Sequence, residues 1–166
     1  MIPALVKDKT MDLAYLRGST PWTSALFHES LRYYSASSSI RATSRPALVH
    51  GKLIPAASVV FLPFRPQHFD PSIFGEDADM FAPARFINDK RLSNSPRFRG
   101  FSGGNSYCPG RALARMQFTI LVALMLGRYD VKVIGKGVPV TDTKVPTKGM
   151  LAPKKGEEVI LKITRP

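Results

Sequence analysis

A chain of 166 residues with 44% hydrophobic and 22% charged side chains is long enough to bury a core as one domain and too apolar to be disordered. Its formal charge of +12 leaves three classes of partner for a basic surface: nucleic acid, an anionic membrane or an acidic protein. The single cysteine, Cys108, excludes an internal disulfide and fits a reducing compartment.

Lys7, Asp8 and Lys9 come too early for a secretory apolar core. The longest apolar run, 118–126, is interrupted by Thr119 and falls far short of the ~20 residues that cross a bilayer. Residues 1–84 hold eight Lys/Arg against seven Asp/Glu, whereas residues 85–166 hold sixteen against five, so the excess charge lies in the half containing Cys108. No recognised nucleic-acid motif accompanies it and the aromatics read as buried, which argues against nucleic acid.

In chain order, residues 1–17 read as a weak helix. Ser19 or Thr20 can cap, and Pro21 can open, a helix predicted over 21–34. Trp22, Ala25, Leu26, Glu29 and Arg32 fall near one another on it, so Glu29 and Arg32 sit beside an apolar stripe. A half-buried ion pair needs further partners, because removing charge from water is costly. The serine-rich run 35–39 ends the helix. Residues 40–49 and 53–62, around His50-Gly51-Lys52, predict a hairpin, which Pro46, Pro55 and Pro63 restrict to a small, edge-like sheet. Residues 66–83 are turn-rich, with a short helix starting at Asp70-Pro71. His50 and His68 have no partner at metal-ligand spacing. Residues 88–100 read as an exposed basic loop. A helix over 111–126 is apolar almost all round in its second half and is expected to be buried within a larger body, with Gly127 stopping it. Residues 128–134 alternate as a strand, and 149–166 read as two short strands around Pro153-Lys154-Lys155-Gly156.

The stretch from Phe101 to Gln117 is the centre of the chain. Gly103, Gly104 and Gly110 crowd around Cys108, and glycine lets a backbone turn at positive φ or approach a bound group closely. Cys108 lies just before a helix N-terminus, where unpaired N–H groups favour negative charge on the sulfur and prepare it to ligate a metal or attack a substrate. Set against that, a lone cysteine is most often an inert interior residue. A nucleophilic role needs a histidine base, for which the sequence offers only His28, His50 and His68.

The arrangement Phe101-x-x-Gly104-x-x-x-Cys108-x-Gly110, followed by Arg111, resembles the heme-ligand loop of the cytochrome P450 family of heme-thiolate monooxygenases. Glu29-x-x-Arg32 resembles the Glu-x-x-Arg of the family's helix K, and Pro83-x-Arg85-Phe86 its Pro-x-Arg-Phe segment, in the family's order. The line from His68 to Phe86 is similar to the family's connecting region, where a hydrogen-bonding role for His68 is implied. The resemblance covers essentially the whole chain and corresponds to about the C-terminal third of a full-length member.

This resemblance implies a mainly α fold with small β-sheets: an α+β fragment with helix K, a β-hairpin, the heme-ligand loop, helix L and a C-terminal β-hairpin, forming a single partial domain over 1–166. It implies heme b (iron protoporphyrin IX) with Cys108 as the proximal iron ligand, whose electron donation favours O–O cleavage. The implied reaction is monooxygenation of a small apolar substrate with one atom of O2, using electrons from NADPH through a separate reductase, an acidic flavoprotein on the basic face. Phe101 would pack beside the loop and exclude water, and Gly104 and Gly110 would admit the porphyrin. Arg111 would reach a partner or a propionate, a solvated surface arginine being the alternative. Glu29, Arg32 and Arg85 would hold the loop in place and do no chemistry.

Three departures qualify the resemblance. The family position two before the cysteine usually carries Arg or His for a heme propionate, and here it is Ser106, so heme would bind more weakly or use another cation. Ala84 stands where Glu is common. The family's distal helix, with its Gly-x-x-Thr oxygen-activating signature, lies upstream of Glu-x-x-Arg and is not among these residues. The expectation is therefore a truncated member, with a non-catalytic remnant or basic interaction module as the alternative. Eukaryotic members reach the endoplasmic reticulum through an N-terminal anchor; no signal or anchor is read here, so the compartment is left open.

Overall fold

A computed structural model describes residues 6–7, 10–11, 21–104, 107–135, 137–144 and 149–166. Ser19, Thr20 and Ser106 lie outside the described residues. Where a weak helix was expected, the described residues instead form two short antiparallel strands, β1 (Val6–Lys7) and β2 (Thr10–Met11). Val6 and Thr10 are β-branched and favour the extended chain.

Helix α1 (Pro21–Tyr34) opens on proline and buries Ala25, Phe27, Glu29, Leu31 and Arg32. Trp22 is 63% exposed, so the buried stripe starts one turn later than its spacing predicted. Ala25 joins Phe74, Ala78 and Phe86 in the core, with Ile73, Ile87, Leu92 and Phe98 packed around them. The packing of Leu92 and Phe98 corrects the expectation of an exposed loop over 88–100: Lys90, Arg91 and Arg97 face water while the apolar side chains turn in.

The predicted single hairpin is two nested antiparallel pairs. Strand β3 (Ser38–Ala42) pairs with β6 (Val59–Pro63), Ser38 opposite Pro63, and β4 (Ala47–Val49) pairs with β5 (Lys52–Ile54). His50 and Gly51 make the two-residue turn at φ of 45° and 76°, the left-handed pair that matches strand twist. Thr43 bridges the break between the tiers: its hydroxyl donates to the Pro55 carbonyl (2.7 Å) and accepts from the Ser58 N–H (3.0 Å).

Three short helices follow: α2 (Arg65–His68), α3 (Pro71–Phe74) and α4 (Arg85–Asn88). Asp70 caps α3 by accepting from the Ser72 N–H at 2.9 Å. After a 3-10 turn over Leu92–Asn94 the chain reaches the cysteine loop and α5 (Arg111–Arg128). Gly127 does not stop this helix. The Tyr129 N–H still donates to the Met125 carbonyl at 3.2 Å, so the ladder runs past the glycine, and extended Tyr129 turns the chain directly into β7 (Asp130–Ile134). Strand β8 (Ile160–Thr164) pairs antiparallel with β7. The tail is therefore no hairpin of its own: its first part meets other segments, through a Ser35 to Met150 bridge and a Leu151 N–H to Tyr34 carbonyl bond of 2.8 Å. Among the described residues of α5 only Ala123 is buried, while Leu113, Leu121 and Leu126 are exposed, contrary to the expected burial. No described helix is long and apolar enough to cross a membrane.

Candidate functional site

The buried scaffold of the site is ionic. Glu29 and Arg32, one helical turn apart on α1, are both 0% exposed. Arg32 Nε and Nη2 each donate to the Glu29 carboxylate at 2.8 Å. The remaining donors are used on carbonyls: Nη1 to His68 and Ala78 at 2.7 Å, Nη2 to Met80 at 2.8 Å. Glu29 Oε1 also accepts from the Ala82 N–H (2.7 Å) and from Arg85 Nε (3.3 Å). Arg85, at the start of α4, donates to the Phe74 carbonyl and to Asp77 Oδ1 (2.9 Å). Asp77 is a fourth member that the sequence reading did not find. Its carboxylate is half-exposed, so it carries no apolar pattern that would mark it.

His68, 0% exposed, links this scaffold to the cysteine loop. Its carbonyl accepts from Arg32 and its ring Nε2 accepts from the Arg99 N–H at 3.0 Å. The ring proton is therefore on Nδ1, which is buried without a partner. Burial first, and the Arg32 cation second, push the His68 pKa down to about 4. Burial and then Arg115 lower that of His28 on α1. Both histidines are neutral in the fold and protonate in the unfolded chain below about pH 6.5, so the unfolded state gains protons first. The stability they contribute is full above that pH and is lost as pH falls toward 4, at about 1.4 kcal/mol per pH unit for His68 alone. Urea midpoints followed from pH 7 to 4.5 should fall less steeply in His68→Phe than in the wild type; equal slopes would contradict this.

Cys108 is half-buried and free. Its N–H donates to the Phe101 carbonyl (3.1 Å) and the Tyr107 N–H to the Gly104 carbonyl (3.2 Å), which closes the loop on itself. Ser102 and Gly104 take positive φ of 68° and 62°, and the glycine does so without the strain a side chain would add. Phe101 and Phe118 of α5 pack on Phe27 of α1, with ring centroids 5.9 and 5.3 Å away, so one aromatic cluster joins the loop to both long helices. Arg111 folds back over the loop. Its guanidinium lies 4.5 Å from the Tyr107 ring centre and donates to the Cys108 carbonyl at 3.1 Å.

Two recesses flank the loop. The larger, about 1040 Å³, lies between α1 and α5 and combines Phe27, Phe101 and Met116 with the cations Lys90, Arg111 and Arg115. The smaller, about 460 Å³, lies against β3 and is lined by Ser39, Arg41, Arg99, Ser102, Gly103 and Gly104. A side chain at Gly103 would collide with Arg99 Nη1. The sequence reading did not single out Ser39 or Arg99, because neither belongs to a local spacing pattern with Cys108.

The family model for cytochrome P450 matches residues 8–161. A cytochrome P450 monooxygenase from Penicillium oxalicum, poxD, is 31% identical over 130 residues, 74% of this chain and 26% of that protein. Cytochrome P450 734A5 of Oryza sativa subsp. japonica is 32% identical over 63% of this chain and 20% of its own length. Human cytochrome P450 2F1 is 29% identical over 72% and 25%. The chain thus spans about a fifth to a quarter of the relatives it matches. In fold, the retinoic acid-bound cyanobacterial CYP120A1 superposes with a TM-score of 0.78 at 20% identity, over 96% of this chain and 36% of that one. With a family match over nearly its whole length, this chain belongs to the cytochrome P450 family.

Proposed function

We propose that residues 1–166 form the cysteine side of a heme-thiolate monooxygenase domain, with Cys108 as the proximal ligand of heme b. The observation that carries this reading is the half-buried, free sulfur of Cys108 on a loop fixed by its own backbone bonds and tied through Arg99 and His68 to a buried ionic scaffold. The residues fit a flat macrocycle with a soft metal. A side chain built at Gly104 would meet no atom within 4 Å, and one at Gly110 would meet only the Cys108 sulfur, at 3.8 Å, which leaves room beside the donor. A thiolate-ligated heme supplies the electron-rich iron on which monooxygenation depends.

The remaining roles belong to the chain itself. Phe101 excludes water beside the sulfur. Arg111, bonded to the Cys108 carbonyl, steadies the loop. Ser106 would offer a hydroxyl at the position where the family usually carries Arg or His. Glu29, Arg32 and Arg85 hold the loop without touching the reacting atoms. The basic groove with Lys90, Arg111 and Arg115 suits an acidic flavoprotein that delivers electrons from NADPH, and the substrate is a small apolar molecule. In a full-length eukaryotic parent the domain would sit at the endoplasmic reticulum membrane. A second reading, a non-catalytic remnant or basic interaction module, is favoured by the exposed leucines of α5, since exposed apolar area of this kind marks an interaction surface. Hemin titration separates the two. One heme per chain, with binding lost in Cys108→Ala, is expected for the first, and no saturable complex for the second.

A further inference from the structure

We propose that Ser93 is a phosphorylation site for a basophilic protein kinase, and that its phosphate enters the groove between α1 and α5 and engages the cations Lys90, Arg111 and Arg115. The consequence, weaker docking of an acidic partner, rests on the role given to that groove above; the site itself stands on sequence and geometry. Consecutive basic residues occur at Lys90-Arg91 and at Lys154-Lys155. The first pair leads through Leu92 to the hydroxyl of Ser93, the second through Gly156 to Glu157. A kinase that selects substrates by charge holds such a pair on its own carboxylates, which sets the hydroxyl two residues on against the nucleotide.

The segment is built to be captured in this way. The Arg91 side chain is 91% exposed and pairs with the neighbouring Asp89 at 2.9 Å, a solvent-screened contact that contributes little and is readily exchanged for another carboxylate. Ser93 lies in the 3-10 turn Leu92–Asn94. The Leu92 N–H donates to the Asp89 carbonyl (3.2 Å), the Asn94 N–H to the Arg91 carbonyl (3.1 Å), and the Ser93 hydroxyl to the Lys90 carbonyl (3.1 Å). A single turn of this kind opens locally while the fold stays intact. In the transfer, the Ser93 oxygen attacks the γ-phosphorus of ATP, the bond to ADP breaks, and the hydroxyl proton passes to the kinase's catalytic carboxylate.

Ser93 also lines the groove that holds Lys90, Arg111 and Arg115, and no acidic residue lines it. Among the described residues none of these three cations is in an ion pair. Arg111 donates to the Cys108 carbonyl and Arg115 to the Ser24 hydroxyl, contacts that leave the charge uncompensated. A phosphate on Ser93 brings about −1.5 to −2 charge and three acceptor oxygens to this wall. Its bonds to guanidinium are of the strong, charge-assisted kind, and they occupy the cations that an acidic protein would otherwise meet.

The test starts with the full chain, ATP and the catalytic subunit of a cyclic-AMP-dependent kinase. Mass spectrometry should place the phosphate on Ser93 ahead of exposed Ser44, which follows Arg41 without a second cation, and Arg91→Ala should slow the transfer at least about tenfold. Phosphoserine installed at position 93 during translation then isolates the effect of the group. By phosphorus-31 NMR its second ionisation, ordinarily at about pH 6, should fall by about one pH unit relative to the phosphopeptide of residues 88–97, and Arg111→Gln or Arg115→Gln should reverse much of that shift. Its affinity for a decaglutamate peptide should be at least about tenfold below that of the unmodified chain. Phosphate placed mainly on another residue, or a phosphoserine that titrates as it does in the peptide, would overturn the proposal. So would decaglutamate binding that the phosphoserine leaves unchanged, although docking on the groove would then stand. A shifted phosphoserine on a chain that never binds decaglutamate would keep the site and remove the docking role of the groove.

Discussion

Glu29→Ala is expected to destabilise the fold by about 3–5 kcal/mol, the range for breaking a buried ion pair from one side. The carboxylate is fully buried and compensates two guanidinium groups and the Ala82 N–H at once. Its removal leaves Arg32 with no counter-charge and all its carbonyl bonds still in place, so the cation cannot leave for water without unpacking α1 from α2 and α4. Since whole domains are stable by only about 5–15 kcal/mol, this one change should populate the unfolded chain. Asp77→Asn is the internal contrast. That side chain is 57% exposed, and a solvent-screened pair contributes about 0–1 kcal/mol. Urea unfolding of both variants checks the pair of expectations; a loss below about 1 kcal/mol in Glu29→Ala would contradict the first.

Phe27→Ala is expected to cost about 3–5 kcal/mol, as other buried Phe to Ala changes do. Phe27 is 6% exposed and its ring meets His28, Phe101 and Phe118. The cavity would therefore open where α1, the cysteine loop and α5 meet. Two readouts should move together: the unfolding midpoint falls, and backbone amides of residues 101–104 and 107–108 exchange faster than those of β3 and β6. Loss of stability with unchanged protection in the loop would show that the loop is held by the ionic scaffold alone.

How much of this was legible in the chain depends on the distance over which each feature is encoded. Helix α1 could be placed to the residue because Pro21 opens it and the serine run closes it. The start of α5 after Pro109-Gly110 was equally local. Its end was not, because whether Gly127 terminates a helix or continues it is decided by the next residues, and Tyr129 keeps its bond to Met125. The tail 149–166 could be read as short strands but not for its partner, which β7 supplies to β8 from about thirty residues upstream. The triad of Glu29, Arg32 and Arg85 was readable through resemblance, since the spacing of Glu29 and Arg32 alone describes any helix surface.

The recess against β3 was invisible for the opposite reason. Ser39 and Arg41 reach the loop through a strand pairing that positions them in space, and His68 meets Arg99 across 31 residues of chain. No spacing rule connects such residues. The basic excess of the second half, by contrast, was visible as a count, and the structure divides its use: Arg85 is buried in the scaffold, Arg99 serves the loop, and Lys90, Arg111 and Arg115 line the open groove.

The central claim is that Cys108 ligates heme iron as a thiolate. The carbon-monoxide difference absorption spectrum of the hemin-reconstituted, reduced full chain tests it most directly, with Cys108→Ala measured alongside. The account predicts a Soret band at the red-shifted position of a thiolate-ligated ferrous carbon-monoxide complex in the wild type and its disappearance in the variant. A band at the unshifted position, or the same band in both proteins, would contradict it.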